Sequence, residues 1–386
     1  MIKVKFSTRS IHVGEEPDIV NGTGDVVREI HLSTTFARKD PLEPTRGYEY
    51  TRTGNPTRQA LEEKIASLEG GKHGLAFSSG LSAETVLFLS LLSPGDHVIA
   101  SEDLYGGTER LLRTLVSRIG ITYEMRDLSD ASSLGSIPPN TKMVYFETPS
   151  NPLLRIIDIA EVSRIAKEHG SISVVDNTFA SPYFQNPLEM GADVVVHSMT
   201  KYINGHSDSL GGALVTSNDD LYEGLKFNQN AIGAVMSPFD SYLTMRGLKT
   251  LSVRMDKHRE NAEKLVRFLQ GHEKIGTVYY PGLESHRNHA IASRQMRGYG
   301  GMISFTIDTD NAGIRNFASS TRYFALAESL GGVESLMEIP SLMTHAGIPR
   351  EIRKKTGISD NLVRISVGIE DYDDLQEDLD HALGKV

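Results

Sequence analysis

The chain has 386 residues, a net charge of −10 and an ordinary globular composition, 39% hydrophobic and 23% charged. It is long enough for two domains and has no basic excess pointing to nucleic acid. It has no cysteine, which excludes disulfides, a cysteine nucleophile and cysteine-held zinc or iron–sulfur sites. No apolar run approaches the roughly 18 residues of a membrane span. The first residues lack the apolar stretch of a signal peptide, so the expectation is a cytoplasmic protein without a membrane or nucleic-acid partner.

Residues 1–53 are rich in Gly, Thr, Asp and Pro and show little helical periodicity. A lead this long and irregular is unusual inside a compact domain, and it reads as an arm packed on something else, such as another subunit. From Pro56 the texture changes. Leu61, Ile65 and Leu68 fall at helical spacing and stop at Gly70-Gly71. Short apolar runs then alternate with helical ones. Leu75-Ala-Phe is strand-like, Leu81–Leu92 helical, His97-Val-Ile-Ala strand-like and Thr108–Ile119 helical. Met143-Val-Tyr-Phe, Ser173-Val-Val-Asp and Asp193-Val-Val-Val-His read as buried strands, with a helix over Ile159–His169. This alternation predicts a parallel α/β sheet covered on both faces. A long amphipathic helix, roughly Leu251–Leu269, is placed to link it to a smaller α/β unit containing the strands Gly301-Met-Ile-Ser-Phe-Thr-Ile and Leu362-Val-Arg-Ile-Ser-Val. The division expected is an arm over 1–53, a large domain over 54–250 and a C-terminal domain over 251–386.

Three segments carry polar chemistry at the exits of apolar strands. Asp176 ends Val174-Val-Asp-Asn-Thr, and carboxyl ends of strands in open α/β sheets face the ligand crevice. Lys201 follows Val194-Val-Val-His-Ser-Met-Thr, about one strand–helix–strand step further on. Phe77-Ser-Ser-Gly80-Leu81-Ser82 joins a strand to a helix, where small residues let backbone N–H groups approach a phosphate. Singly, each has an ordinary explanation: a turn cap, a surface lysine, a capped helix start. Together they suggest pyridoxal 5′-phosphate (PLP), which needs a lysine for its aldehyde, an acid near its pyridine nitrogen and an anion cradle. A lysine must be neutral to act there, so its ordinary pKa of about 10.4 has to be depressed.

Ser198-Met-Thr-Lys201-Tyr-Ile-Asn-Gly-His-Ser-Asp208 resembles the PLP-lysine signature of the Cys/Met-metabolism family, which includes cystathionine γ-lyases, γ-synthases and β-lyases and methionine γ-lyases. Tyr48-Glu-Tyr50-Thr-Arg52-Thr-Gly-Asn-Pro-Thr, Asp103-Leu-Tyr105-Gly-Gly-Thr, Glu147-Thr-Pro-Ser-Asn151-Pro, Ala327-Glu328-Ser329-Leu-Gly-Gly and Leu362-Val-Arg364-Ile-Ser-Val resemble that family in order along the chain. The resemblance implies an aspartate-aminotransferase-like PLP fold of type I, in a homotetramer of two tight dimers. It implies that Lys201 holds the cofactor covalently, Asp176 pairs with the ring nitrogen and Tyr105 stacks on the ring. Gly80, Leu81, Ser198 and Thr200 would hold the phosphate, with Tyr50 and Arg52 reaching it from the neighbouring subunit. Arg364 would grip the substrate carboxylate, helped by Asn151 and Ser329. His197 and His206 lack convincing metal spacing and read as structural.

Two positions bear on the substrate. Methionine γ-lyases usually carry a cysteine two residues after the stacking tyrosine, where this chain has Gly107. Glu328 resembles the acid of the γ-lyase and γ-synthase branches, whereas β-lyases tend to have a bulky apolar residue there. The expected activity is γ-elimination of cystathionine, with γ-replacement of an O-acylhomoserine by cysteine as the alternative and the methionine γ-lyase and cystathionine β-lyase reactions less favoured. An aminotransferase, or a non-catalytic protein of the same fold, fits the residues less well.

Overall fold

Valine-rich segments buried on both faces set the architecture. In the computed structural model, which describes residues 4–20, 22–347 and 350–386, the arm holds one short helix, α1 (Phe6–His12), that its weak periodicity did not reveal. Helix α2 (Pro56–Glu69) starts on the Asn55 side chain, with Pro56 at its first position, and stops on Gly70 in the left-handed region. There follow β1 (His73–Phe77), α3 (Gly80–Leu91), β2 (His97–Ser101), α4 (Gly106–Leu111), β3 (Thr122–Arg126), β4 (Thr141–Glu147), α5 (Ile159–Glu168), β5 (Ile172–Asp176), α6 (Ser181–Phe184), β6 (Val194–Ser198) and β7 (Gly212–Thr216). The helix expected over Thr108–Ile119 is not one regular element: α4 passes into a wider π-helical turn and a 3₁₀ turn ending at Gly120.

The seven strands form one sheet in the order β1-β7-β6-β5-β4-β2-β3. Strands β2 to β6 are parallel, while β7 runs antiparallel to both β6 and β1. The sheet is therefore mostly parallel, as expected, and mixed only at one end, where β7 runs against its neighbours. Side-chain alternation covers both faces: Val195 and Val215 pack with Leu61 and Ile65, and Val194, Val196 and Leu214 pack with Leu87 and Phe88. Gly212 is obligatory, because a Cβ there would lie 2.1 Å from the Ser79 carbonyl oxygen. That close approach seats the start of α3 against the sheet.

Helices α7 (Asp219–Ile232) and α8 (Pro238–Leu248) lead to α9 (Leu251–Gly271). Leu251 and Met255 of α9 join the core of the large sheet, and Leu265 and Leu269 join a second core. That core covers a five-stranded sheet, order β10-β11-β12-β9-β8, built from β8 (Ile275–Tyr279), β9 (Met302–Ile307), β10 (Ala325–Leu326), β11 (Leu336–Glu338) and β12 (Leu362–Ser366). Its helices are α10 (His289–Gln295), α11 (Asn311–Ser320), α12 (Arg350–Lys355) and α13 (Tyr372–Leu383). Among the described residues, no helix is long and apolar enough to cross a membrane.

Candidate active site

In the large sheet the chain runs from β2 outward to β3 and then returns to β4 on the other side of β2, so the strand order reverses between β2 and β4. Ligand crevices form at such reversals, beyond the carboxyl ends of the strands. A cavity of about 250 Å³ lies there. Every site residue expected from the sequence lines it except Tyr50 and Arg52. Strand β5 delivers Asp176, β6 delivers Ser198 and the turn carrying Thr200 and Lys201, and β12 brings Arg364 from the smaller sheet.

The Lys201 amine is partly buried and donates to the Ser329 hydroxyl at 2.7 Å. Burial, reinforced by the Arg364 guanidinium, lowers its pKa to about 8. Ser329 has φ 108°, a strained conformation for a residue with a side chain, at a cost of about 1–3 kcal/mol. That conformation lets one residue serve two partners: its hydroxyl meets Lys201 while its carbonyl accepts from Arg364 Nη2 at 2.9 Å. Gly331, in the left-handed region at φ 77°, lets the same loop press on the Tyr202 backbone, where a Cβ would come within 2.6 Å.

Arg364 is held in a fixed pose. Nη1 donates to Asn151 Oδ1 at 2.7 Å and pairs with Glu338 Oε1 at 3.0 Å. Its Nε is buried and makes no hydrogen bond. A guanidinium pinned in this way, with a donor to spare, is suited to bind a carboxylate. Glu338 had no sequence signal, since it sits in an apolar strand of three residues, Leu336-Met-Glu.

The acidic end of the cavity is richer than the sequence suggested. Asp176 stands opposite Glu147 in the β4–β5 register, and burial raises the pKa of both. Asp176 Oδ1 accepts from the Thr178 N–H at 2.9 Å, and Glu147 Oε2 accepts from the Tyr105 N–H at 2.9 Å. Glu84, on α3, also lines the cavity. Gly80 opens α3 directly beside Ser198, where a Cβ would meet the Ser198 Cβ at 3.2 Å and narrow the space. Ser79 caps that helix reciprocally with Ser82. Tyr50 and Arg52 lie outside the cavity. Arg52 Nη1 donates to the Asn230 carbonyl oxygen at 2.7 Å. His197 is buried against Glu69, and His206 Nδ1 meets the Asn204 carbonyl at 2.8 Å.

A lysine with a depressed pKa, a buried acid and a helix amino terminus flanked by hydroxyls converge on one crevice. That donor set fits PLP, offering an amine to the aldehyde, an anion to the ring nitrogen and N–H and O–H groups to the phosphate. Fold and site together define the class of PLP-dependent enzymes built on a mostly parallel α/β sheet with a second, smaller sheet. The family model "Cys/Met metabolism PLP-dependent enzyme" matches residues 7–384, and the chain belongs to that family. It is 51% identical over 381 residues to a cystathionine β-lyase of Lactococcus lactis subsp. cremoris, covering 98% of this chain and 99% of that one. It is likewise 51% identical over 382 residues to a cystathionine γ-lyase of Dictyostelium discoideum, covering 99% and 98%. Among solved structures, a cystathionine γ-synthase of Xanthomonas oryzae pv. oryzae in complex with cystathionine is similar at a TM-score of 0.95 and 45% identity, covering 99% of this chain and 98% of that one.

Proposed function

We propose that this enzyme cleaves L-cystathionine at the γ-carbon, giving cysteine, 2-oxobutyrate and ammonia. The observation that carries this reading is the place of Glu328. It is exposed at the mouth of the cavity, beside Tyr105 and Thr344, and its charge acts on both Tyr105 and Lys201. With the near carboxylate on Arg364, a distal ammonium attracted to Glu328 draws the long substrate across the Tyr105 ring. Bound PLP supplies an electron sink for the charge left at Cα. Lys201 Nζ takes the Cα proton and would give it up to the cofactor's C4′ carbon, and, neutral again, the same amine on its flexible stem reaches the Cβ proton that γ-chemistry also requires. The Tyr105 hydroxyl, whose pKa is raised by burial, keeps a proton to give to the departing sulfur.

The same groups support a second reading, γ-replacement of an O-acylhomoserine by cysteine, because likeness to γ-lyase and γ-synthase relatives is nearly equal, at 51% and 49% identity. In either case Glu328→Ala is expected to lower kcat/KM for cystathionine about tenfold more than for a small γ-substituted homoserine lacking the distal ammonium, a difference matching the roughly 1–2 kcal/mol of one charged contact. Equal losses on the two substrates would take Glu328 out of the specificity argument.

We also propose that the protein works as a homotetramer of two tight dimers, with the arm over 1–53 completing a neighbour's site. The arm supports this through its exposed apolar side chains, among them Val20 at 84% and Leu42 at 88%, which a lone chain leaves in water. Arg52 also lies over the half-exposed Tyr50 ring, 5.6 Å from its centroid, outside this chain's own cavity. Mixing inactive Arg52→Ala with inactive Lys201→Ala protein should restore up to about a quarter of the activity by random pairing within dimers. No recovery despite demonstrated subunit exchange would contradict a shared site.

A further inference from the structure

Glu84 is the only charged residue of α3, and it is 3% exposed. It points into the acidic end of the cavity, where Asp176 and Glu147 already stand. We propose that Glu84 is a positioning residue of this site, an uncharged acid that fixes the turn carrying Tyr105 and keeps a further negative charge away from Asp176 while the enzyme works.

Two contacts define it. Its Oε1 accepts from the Thr108 hydroxyl at 3.0 Å. Thr108 closes the turn that begins at Tyr105, its N–H donating to the Tyr105 carbonyl at 3.0 Å. The aromatic ring at the cavity mouth is thus tied to α3 through one hydroxyl. The other oxygen, Oε2, is buried beside the Tyr145 hydroxyl of β4, though the two do not meet in good hydrogen-bond geometry. Burying an unpaired carboxylate costs far more than burying a carboxylic acid.

The titratable groups that interact with Glu84 are Tyr105 ahead of α4, Tyr145 and Glu147 on β4, and Asp176 on β5. They are phenols and carboxyls, none of them a cation. Burial first, and the Asp176 charge second, push the Glu84 pKa up to about 8. Near pH 7 the group is then about 90% protonated. Above that pKa it ionises with no cation among these neighbours to pair with, so water must enter or α4 must shift, and Tyr105 moves with it.

The inference rests on the cofactor reading and not on which C–S bond breaks. Infrared difference spectra of the holoenzyme between about pH 7 and about pH 9 test it without turnover. The wild type should lose the carbonyl band of a protonated carboxyl group, and Glu84→Gln should lack that change. In parallel, the alkaline fall of kcat/KM, measured on any substrate the enzyme accepts, should move up by about one pH unit in Glu84→Gln, which keeps an acceptor for Thr108 but cannot ionise. Identical infrared differences, or superimposable alkaline limbs, in wild type and variant would overturn the proposal. So would a Glu84→Gln protein unable to hold PLP, because the site would then need the carboxylate charge.

Discussion

Lys201→Ala is expected to lower kcat by about 10³-fold or more, the upper part of the range for a positioned acid–base group, even with PLP saturating. On the proposed mechanism the loss combines the covalent anchor and the amine that moves protons at Cα and Cβ. Supplied primary amines should recover a small part of it, while recovery through a different lysine of the chain would reassign the role. The pKa of Lys201 gives this a pH dependence. Its value of about 8, against the usual 10.5, leaves the amine about 10% neutral near pH 7, about 300 times more than for an unperturbed lysine. The neutral form prevails above the pKa, so covalent capture of PLP by apoenzyme should rise about tenfold per pH unit up to about pH 8 and then level off. A rate still climbing at about pH 10 would mean the site does not depress this lysine.

Asp176→Asn should reduce kcat by about 10²- to 10³-fold, the scale of removing one preorganised electrostatic partner. The substitution keeps an oxygen for the Thr178 N–H, so the end of β5 has no steric reason to move. What disappears is the anion that would hold a ring nitrogen protonated, buried at 8% exposure. Absorbance of the bound cofactor and kcat should change together. Near-normal turnover with altered absorbance would show that the electron sink does not depend on Asp176, and the neighbouring Glu147 would be the acid to test next.

The sequence made the site legible where polar residues interrupt apolar strands. Asp176 and Lys201 end or follow runs of valine, and such breaks in a buried strand demand a reason. The acids missed lacked that contrast. Glu147 ends Met143-Val-Tyr-Phe, but it read as the start of a loop. Glu84 sits at an ordinary helical position, and its signal was subtler: it is the single charge in twelve residues of α3. Glu338 lies in a strand too short for a pattern. In the fold, the strands with continuous apolar runs were visible. Strand β3 was not, because Thr122-Tyr-Glu-Met-Arg is a polar edge strand. Strand β7 follows Gly211 in a segment whose tight glycine packing against Ser79 and Gly80 is a tertiary fact. Its antiparallel course, which makes the sheet mixed, leaves no mark on a five-residue apolar run. Nor could local pattern predict the breakdown of α4 into π and 3₁₀ turns.

The likeness to γ-lyase, γ-synthase and β-lyase relatives is almost even, so the bond that breaks has to be read from the products. Purified enzyme with saturating PLP should be given L-cystathionine as sole substrate, and every product identified by mass. Cysteine, 2-oxobutyrate and ammonia as the dominant set are the result expected from Arg364 and Glu328 stretching the substrate across Tyr105. Homocysteine and pyruvate as the dominant set would place the cleavage at the β-carbon and contradict γ-elimination.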